Sequence, residues 1–559
     1  MKSFYLAFAL LGASLVASDD SASPNSTVTL SYATYAASNY NTEDGYFAFY
    51  DIRFAAEPTG TLRFSPPQKP SATPGVQVGN TGRQCIQSAP LSSTGGSLAA
   101  ALEVALFGTE DCLFLDVYTS SEALNTTESK NSTGKPVLVW IYGGGYVDGS
   151  KNSFGQFAPT SLLEASESEE GMVFVAFNYR LGAFGWLAGP TVNEYGVSNA
   201  GLYDQRFALE WVQDNIEKFG GDPKRVTVMG ESAGAGSIMH QITAFGGEKG
   251  APFHQALPQS PAWNPQLNQT ALEEQYELFL RMSNCDSFEC IQKANVSTLR
   301  VANAMSVATA KYGSGLFGPA VDGNFVPDSP GYLLKQGRFV KNISMTIGHN
   351  ADEGPGFTKP NATLLYLLST VGLTANQTVI DATMELYNIS AANTTLPRDL
   401  AVLLVSESIF TCNTFYLASA NHNLTWNYEF AIPPAIHGED VEYTFYNPNV
   451  TTPFATPEFV FRNVSSAMDD LFANFVSNGD PNVSLKVHNN TGMGNCTFWP
   501  RYGDNSTVLF FNYTGLRIGK DPAAVERCNF WQNIFSAETL GLPIPSNTTC
   551  NSTSNSTNA

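Results

Sequence analysis

The chain has 559 residues, 43% of them apolar and 12% aromatic, which is enough apolar material to bury a large core. Its length does not require several domains, because large α/β enzymes often form one body. The formal net charge of −21 at pH 7 gives a surface that repels phosphate backbones, and this excludes a nucleic-acid partner.

The chain begins with the features of a signal peptide, residues 1–18. Lys2 supplies a positive charge, an apolar run extends over 4–16, and small residues stand at the expected cleavage site. The run is too short to span a bilayer comfortably, which favours cleavage over a membrane anchor. We therefore expect the protein to be secreted into the extracellular space.

Asparagine and cysteine usage agrees with the secretory route. The sequence contains about twenty Asn-x-Ser/Thr sequons, a density that predicts a glycoprotein. Its eight cysteines suit an oxidising compartment, but composition leaves their connectivity open. No His/Cys cluster has the spacing of a zinc site, and we expect neither a metal nor a cofactor.

Three short apolar runs, 137–141, 172–177 and 226–229, predict strands buried on both faces, as in a parallel sheet. Between the second and third run, residues 204–219 carry apolar side chains at helical spacing. Strand, helix and strand in this order predict a right-handed crossover and an α/β fold.

The remaining segments are assigned more coarsely. Residues 19–60 are polar and predict short strands that wrap the surface. Residues 265–310 and 360–410 are predicted to be mostly helical. After residue 545 the chain consists of Asn, Ser and Thr apart from Cys550 and Ala559, which predicts a polar, glycosylated tail.

A nucleophile is predicted at Ser232. Gly-Glu-Ser-Ala-Gly at 230–234 matches the pattern Gly-x-Ser-x-Gly, follows the third predicted strand and precedes an apolar, helix-like stretch. A serine on such a turn adopts strained backbone geometry, and the flanking glycines make room for the turn and for a substrate. Its hydroxyl lies near a helix N-terminus, where developing negative charge is favoured.

A glycine run, 143–145, follows the first predicted strand. Acyl transfer places negative charge on the carbonyl oxygen in the transition state, and backbone N–H groups of glycines approach that oxygen closely. The position of the run, one strand before the predicted nucleophile, favours an oxyanion hole over a merely flexible loop.

A serine nucleophile needs a general base and an acid that orients the base. In α/β folds with this kind of turn, the chain order is serine, acid, histidine. Of the six histidines, His437 fits best, because it follows the strand-like segment 426–430 and precedes a glycine. The acid lies in Asp352-Glu353, and on chemistry alone either carboxylate could serve.

These motifs resemble the type-B carboxylesterase/lipase family, which includes cholinesterases, liver-type carboxylesterases and secreted fungal lipases. Val-Thr-Val-Met-Gly-Glu-Ser-Ala-Gly-Ala at 226–235 is similar to the family's active-site signature. Glu-Asp-Cys-Leu-Phe-Leu-Asp-Val at 110–117 is similar to its second signature. Segments 63–67, 178–185 and 199–205 also match, so the resemblance covers nearly the whole mature chain.

The resemblance implies an α/β-hydrolase fold: a large, mostly parallel central sheet flanked by helices, in a single catalytic domain over 19–544 followed by the tail, 545–559. It also implies a catalytic triad of Ser232, Glu353 and His437 and oxyanion-hole donors at Gly144, Gly145 and Ala233. Glu231 and Ser260 are expected to lie around the histidine and support it, with a merely structural role as the alternative. One position departs from the pattern, because Pro261 stands where the family usually has glycine.

Six of the eight cysteines are assigned to pairs. Two pairs resemble family disulfides and the third joins near neighbours in the sequence: Cys85 with Cys112, Cys412 with Cys528, and Cys285 with Cys290. Cys496 and Cys550 are left over and would pair only by default.

Within the first of these disulfide loops, residues 95–107 predict a short helix behind two glycines. Its candidate apolar face consists of Leu98, Leu102, Leu106 and Phe107. In lipolytic relatives the equivalent loop covers the site as a lid, which makes this segment a candidate for contact with a lipid interface; the alternative is a plain packed helix. The loop holds no Trp or Tyr, which counts against choline esters, because cholinesterases bind the quaternary ammonium there on an aromatic ring.

The leading hypothesis is therefore a secreted serine hydrolase, a carboxylesterase or lipase, that cleaves small-molecule or lipid esters through an acyl-enzyme. The alternative is a catalytically inactive, cholinesterase-like adhesion or binding protein. Inactive relatives typically lose the serine or the histidine, whereas this chain has the serine, the acid, the histidine and the glycine run.

Overall fold

The computed structural model of the chain describes residues 26–41, 45–80, 82–126, 133–152, 159–167, 169–263, 268–370, 373, 377–447, 460–483, 498–523 and 525–539. The predicted signal peptide, the predicted tail and the two leftover cysteines, Cys496 and Cys550, lie outside these residues.

The strands form a small sheet and a large one. In chain order they are β1 Thr27–Thr29, β2 Thr34–Ala36, β3 Asn39–Asn41, β4 Tyr46–Arg53, β5 Val76–Gln77, β6 Phe114–Ser120, β7 Lys135–Ile141, β8 Val173–Phe177, β9 Gly221–Glu231, β10 Gln255–Gln259, β11 Ser344–Asn350, β12 Thr425–Phe430, β13 Thr507–Asn512 and β14 Gly515–Lys520.

The helices surround the large sheet. In chain order they are α1 Leu98–Val104, α2 Ser121–Thr126, α3 Thr160–Glu167, α4 Gly182–Trp186, α5 Pro190–Tyr195, α6 Ala200–Asn215, α7 Ala233–Thr243, α8 Gln269–Ser283, α9 Phe288–Lys293, α10 Val296–Ala308, α11 Pro330–Lys335, α12 Leu364–Thr370, α13 Gln377–Leu386, α14 Arg398–Ser406, α15 Cys412–Ala420, α16 Glu439–Thr444, α17 Arg462–Asn478 and α18 Val525–Thr539. A π-helical turn, Glu407–Thr411, joins α14 to α15, and short 3₁₀ turns occur at Gly60–Leu62, Ile216–Phe219, Ala244–Gly247 and His422–Leu424.

The large sheet has 11 strands in the order β14-β13-β12-β11-β10-β9-β7-β8-β6-β4-β3. From β8 through to β13 in this order every neighbouring pair is parallel. The three predicted apolar runs lie in β7, β8 and β9, where Val137, Val175 and Val228 are fully buried. The predicted helix over 204–219 is α6 with the turn that follows it. The α/β prediction is therefore confirmed.

The first strands depart from the prediction of a surface wrapping over residues 19–60. β1 and β2 pair in the small sheet, but β4 is an eight-residue strand inside the large sheet, where it pairs with β6. Phe49 and Ile52 are fully buried, and Phe49 packs edge-on against Phe219. The aromatic and β-branched side chains of this strand, and not its polar flanks, decide where it lies, because burying them is strongly favourable.

Among the described residues, one helical run has the length and mean hydropathy of a membrane-spanning helix. This run, Arg398–Ala420, has a window with a mean hydropathy of 1.5, but 78% of that window is buried inside the protein. Its second half, α15, packs against β11 and β12. The run therefore packs as a core helix next to the carboxyl half of the sheet.

The three predicted disulfides are all present. Their sulfur atoms join Cys85 to Cys112, Cys285 to Cys290, and Cys412 to Cys528. The last of these spans 116 residues and ties α15 to α18 near the end of the described chain.

Residues 95–107 form the predicted short helix, but its leucines do not make one buried face. Leu98, Leu106 and Phe107 are 40%, 73% and 57% exposed. The buried positions are Ala101 and Ala105 instead, and α1 packs against α10. Because α1 ends at Val104, the two residues that were predicted to complete its apolar face fall beyond the helix.

A buried ion cluster holds the segment that follows the glycine run. Lys151 Nζ lies 2.7 Å from both carboxylate oxygens of Asp116 and 3.0 Å from Asp51 Oδ1. The Lys151 and Asp116 side chains are fully buried. Burial raises the pKa of Asp116 to about 6 against the opposing effect of Lys151. The Lys151 N–H also donates to Asn178 Oδ1, so backbone and side chain are both fixed.

Replacing Lys151 with Met should lower the free energy of unfolding by about 3–5 kcal/mol, because the fully buried carboxylate of Asp116 loses its cation and, among the described residues, Asp51 keeps only Arg83 as a cation. Denaturant unfolding measures the change. Lys135→Met is the matched control: Lys135 pairs with Glu122, whose side chain is 76% exposed, and the loss should stay below about 1 kcal/mol. Equal losses in the two variants would contradict the assignment.

Candidate active site

Loops at the carboxyl ends of neighbouring parallel strands converge at one edge of the sheet. The glycine run follows β7, Ser232 follows β9, Ser260 follows β10, Glu353 follows β11, and His437 follows β12. Since these strands are adjacent and parallel, their carboxyl ends meet at the same edge, where sites of open α/β sheets form. The topology thus brings together residues that are 205 positions apart, as Ser232 and His437 are.

Ser232 sits on a tight turn between β9 and α7. Its φ of 55° lies in the left-handed region, which costs a non-glycine residue of order 1–3 kcal/mol. A Cβ on Gly230 would lie 2.6 Å from the Ile141 carbonyl oxygen, and a Cβ on Gly234 would lie 2.0 Å from it. Both glycines are therefore required by the close passage of β7, which fixes the turn.

His437 bridges the serine and the acid. Its Nε2 lies 2.8 Å from Ser232 Oγ, and its Nδ1 lies 2.5 Å from Glu353 Oε2. Of the two carboxylates that the sequence left open, Glu353 is the one against the imidazole. Asp352 instead uses its backbone N–H to bind the Ala435 carbonyl.

Glu353 is fully buried and its hydrogen bonds are satisfied. Its Oε1 accepts from Ser260 Oγ and from the Asn350 N–H, both at 2.6 Å. Burial alone would raise the pKa of this carboxyl, but His437 and the hydrogen bonds outweigh burial and lower the pKa below its usual value. Glu353 is therefore ionised at neutral pH and favours a cationic imidazole beside it.

Glu231 lies on the other side of the histidine. Its Oε1 is 3.2 Å from His437 Nε2. Burial raises the pKa of Glu231, and the neighbouring carboxylates Asp440 and Glu353 add to this against the effect of His437. Burial lowers the pKa of His437, but Glu231 and Glu353 outweigh that and raise it. In the described part of the site, the imidazole is thus the basic group beside three carboxyls: the buried Glu353 and Asp440 and the partly buried Glu231.

The glycine run lies directly over the nucleophile. A Cβ on Gly143 would lie 2.9 Å from Ser232 Cβ, and a Cβ on Gly144 would lie 2.1 Å from Asp148 Oδ1. Within the described part of the chain, no acceptor binds the N–H of Gly144 or Gly145. The N–H of Ala233, the first residue of α7, has no partner inside its helix. Among the described residues, none accepts a hydrogen bond from these three N–H groups, which belong to the glycine run and to the residue after Ser232.

The structure adds residues that sequence patterns did not single out. Asp440 is fully buried and accepts hydrogen bonds from Asn350 (3.0 Å), Gln259 (3.1 Å) and Tyr428 (2.7 Å). This network joins β10, β11 and β12 below the histidine loop. In the sequence, only the position of Asp440 in the His-Gly-Glu-Asp motif at 437–440 pointed to a role at the site. Its three hydrogen-bond donors stand in no such motif.

A model of the Carboxylesterase family matches residues 25–531. The chain is 34% identical over 554 residues to the carboxylesterase patB of Penicillium expansum, which covers 91% of this chain and 95% of that protein. It is 31% identical over 447 residues to a secreted lipase of Arthroderma benhamiae, with 76% and 83% covered. The relatives named here are hydrolytic enzymes, and none supports an inactive adhesion protein.

Solved structures show the same fold. The crystal structure of Aspergillus niger EstA superposes with a TM-score of 0.75 at 27% identity and covers 90% of this chain and 97% of that one. A thermophilic PNB esterase gives a TM-score of 0.73 at 23% identity, covering 91% and 100%. The chain therefore belongs to the carboxylesterase family: it has the α/β-hydrolase fold and is a carboxylic ester hydrolase.

Proposed function

We propose that this enzyme cleaves its ester through an acyl-enzyme on Ser232, with His437 as general base and Glu353 as the acid that orients it. The observation that carries this proposal is the imidazole itself, which contacts Ser232 Oγ on one nitrogen and Glu353 on the other. Buried Glu353 supports the tautomer with the proton on Nδ1, and this leaves Nε2 free to accept the serine proton.

The reaction then runs in two displacements. Nε2 of His437 takes the Ser232 proton as Oγ attacks the ester carbonyl, and the N–H groups of Gly144, Gly145 and Ala233 stabilise the oxyanion. The imidazolium returns its proton to the leaving alcohol. Water, deprotonated by the same histidine, releases the carboxylic acid and restores Ser232.

Ser232→Ala and His437→Ala should each lower kcat for p-nitrophenyl esters by about 10⁶, as triad knockouts do. His254→Ala is the matched control, because His254 is exposed and lies outside the site; its kcat should be unchanged. Substantial turnover by purified Ser232→Ala would show that another group is the nucleophile.

Glu231 is proposed to tune the base, and Ser260 to hold the acid. A general base must be neutral to accept a proton, so a raised pKa of His437 moves the acid limb of the pH–rate profile upward. When ionised, Glu231 contributes to that rise; because its own pKa is raised to about 8, the contribution is complete only above that pH. Removing the negative charge of Glu231 disfavours the imidazolium and lowers the pKa of His437.

In Glu231→Gln the acid limb of kcat/KM should therefore move to lower pH, by at most about 1–3 units, the shift that a fully ionised neighbour at this distance produces. The measurement is a pH–rate profile with a soluble ester. Glu248→Gln removes an equal charge at an exposed position and should leave the profile in place. If the acid limb of the pH–rate profile does not move in Glu231→Gln, Glu231 does not tune the pKa of His437.

We further propose that residues 95–107 contact lipid surfaces, so that aggregated long-chain esters are preferred. Leu98, Leu106 and Phe107 are exposed, and Val301 on the neighbouring α10 is 51% exposed. Arg300 fixes the segment by donating to the carbonyl oxygens of Ala105 and Gly108, each at 2.8 Å. Exposed large apolar side chains are costly in water, at about 25 cal/mol per Å², and that cost is relieved at an oil–water interface. Relatives named as secreted lipases agree with this preference.

Leu106→Asp should depress hydrolysis of emulsified triglyceride while leaving a soluble short-chain ester unaffected, because the charge disfavours only the interfacial contact. Val78→Asp is the control, since Val78 is 68% exposed on a different segment. Parallel loss on both substrates, or no loss on either, would make residues 95–107 a structural element and the enzyme a carboxylesterase of soluble esters.

We also propose that the protein is secreted and glycosylated, with one catalytic domain over residues 19–544. Features of a signal peptide and relatives named as secreted lipases support export. Exposed sequon asparagines, for example Asn125, Asn342, Asn423 and Asn505, are open to modification. The last three directly precede β11, β12 and β13, so they stand at the amino-terminal edge of the sheet, opposite the site.

A further inference from the structure

The long core helix formed by α14 and α15 is interrupted by the π-helical turn Glu407–Thr411. Such single π turns inside α-helices are rare and occur frequently at functional sites. We name residues 406–413, the turn with its flanks, the π segment. It runs beside the loops that carry Ser260, Glu353 and His437, and it contacts each of them.

Two polar side chains of the π segment hold the residues that follow Glu353 and Ser260. Ser406 Oγ accepts a hydrogen bond of 2.9 Å from the N–H of Gly354, the residue after Glu353. Asn413 Nδ2 donates to the Pro261 carbonyl at 2.9 Å and to Ile409 in the π turn at 2.7 Å. Through its two hydrogen bonds, Asn413 fixes the π turn to the loop that contains Ser260 and Pro261.

The third contact is apolar and falls on the imidazole. Phe410 is 1% exposed to solvent, and the centroid of its ring lies 4.4 Å from that of His437. Phe357 lies 5.0 Å from His437, edge-on, and 4.9 Å from Phe410. The two hydrogen bonds of the imidazole use only its ring nitrogens. The aromatic rings of Phe410 and Phe357 pack against the rest of its surface.

The far side of the π segment is fixed to the C-terminal helix. Glu407, only 3% exposed, pairs with Arg527 on α18 and accepts a 2.6 Å hydrogen bond from Tyr387. Trp531 of α18 donates to the same Tyr387 hydroxyl at 2.7 Å. The disulfide of Cys412 with α18 adds a covalent tie. The turn therefore cannot shift without moving α18.

We propose that Phe410 is a positioning residue for the reaction and that the π segment, anchored on α18, sets its place. This rests on the proposed role of His437 as the base. Two hydrogen bonds alone leave the imidazole free to tilt about the line that joins them. Ring packing by Phe410 removes that freedom and keeps Nε2 aimed at Ser232 Oγ through both proton transfers.

Phe410→Leu tests this inference, because leucine keeps the site apolar but is not a flat ring. We expect kcat per active site, counted by fluorophosphonate titration, to fall by roughly 10- to 100-fold, the range that small misplacements of catalytic groups produce. KM should be unchanged. If Phe410 had a merely structural role, the substitution would lower the Tm or the fraction of enzyme molecules that the fluorophosphonate titrates. In that case kcat per titrated site would keep the wild-type value, and this result would overturn the proposal.

Two further variants sharpen the test. Phe415→Leu alters a buried phenylalanine on α15 that packs on Tyr416 and should leave kcat unchanged. Glu407→Gln should lower kcat on its own, yet have no additional effect in the Phe410→Leu background, because it acts through Phe410. Additive effects would contradict the coupling between α18 and the imidazole.

The outcome separates this inference from the triad assignment. An inactive His437→Ala with wild-type kcat in Phe410→Leu would reject the positioning role alone. An active His437→Ala would reject His437 as the base, whatever Phe410→Leu does.

Discussion

The buried carboxylate of Glu353 is the constraint around which the site is built. A fully buried charge is stable only when hydrogen bonds and an opposite charge replace the water that it loses. Ser260, the Asn350 N–H and His437 supply these, and each comes from a different strand or loop. The loops after β10, β11 and β12 are thereby tied to one group, and the imidazole is held in the orientation that a general base requires.

Each loop of the site is also held by contacts on the side that faces away from Ser232 and His437. The segment after the glycine run ends at the buried pair of Lys151 and Asp116, and the Ser232 turn is fixed by the Ile141 carbonyl. The histidine loop rests on Asp440 and its three donors. Because a reaction of this kind depends on preorganised groups, the supports away from the chemistry are part of how the enzyme works.

Sequence patterns predicted the parts of the site that are encoded locally. The turn around Ser232, the glycine run and the strands β7, β8 and β9 each depend on a few consecutive residues, and their types and spacing carried enough information. The choice of Glu353 over Asp352 needed the family resemblance, because chemistry alone did not separate them. The structure places Glu353 against the imidazole, while the backbone of Asp352 pairs with Ala435 in the loop before the histidine.

Other features could not be predicted because they depend on contacts between distant segments. Nothing in residues 398–420 marks the π turn, which forms where Glu407 meets Arg527 and Phe410 meets His437. The polar residues on either side of β4 led to the prediction of a surface segment, although β4 is a strand of the large sheet. The apolar face expected over 95–107 is only partly helical, because helical periodicity was extended past Val104, where the helix ends, and Leu106 and Phe107 lie beyond it.

The most direct test of the account is to locate the nucleophile chemically. Intact-mass and peptide mass spectrometry after brief exposure to a fluorophosphonate should show one adduct, on the peptide that contains Ser232, in parallel with loss of esterase activity. Rapid labelling should disappear in His437→Ala, since the serine loses its base. An adduct on another residue that accompanies inactivation, or labelling of Ser232 at the wild-type rate without His437, would contradict the account.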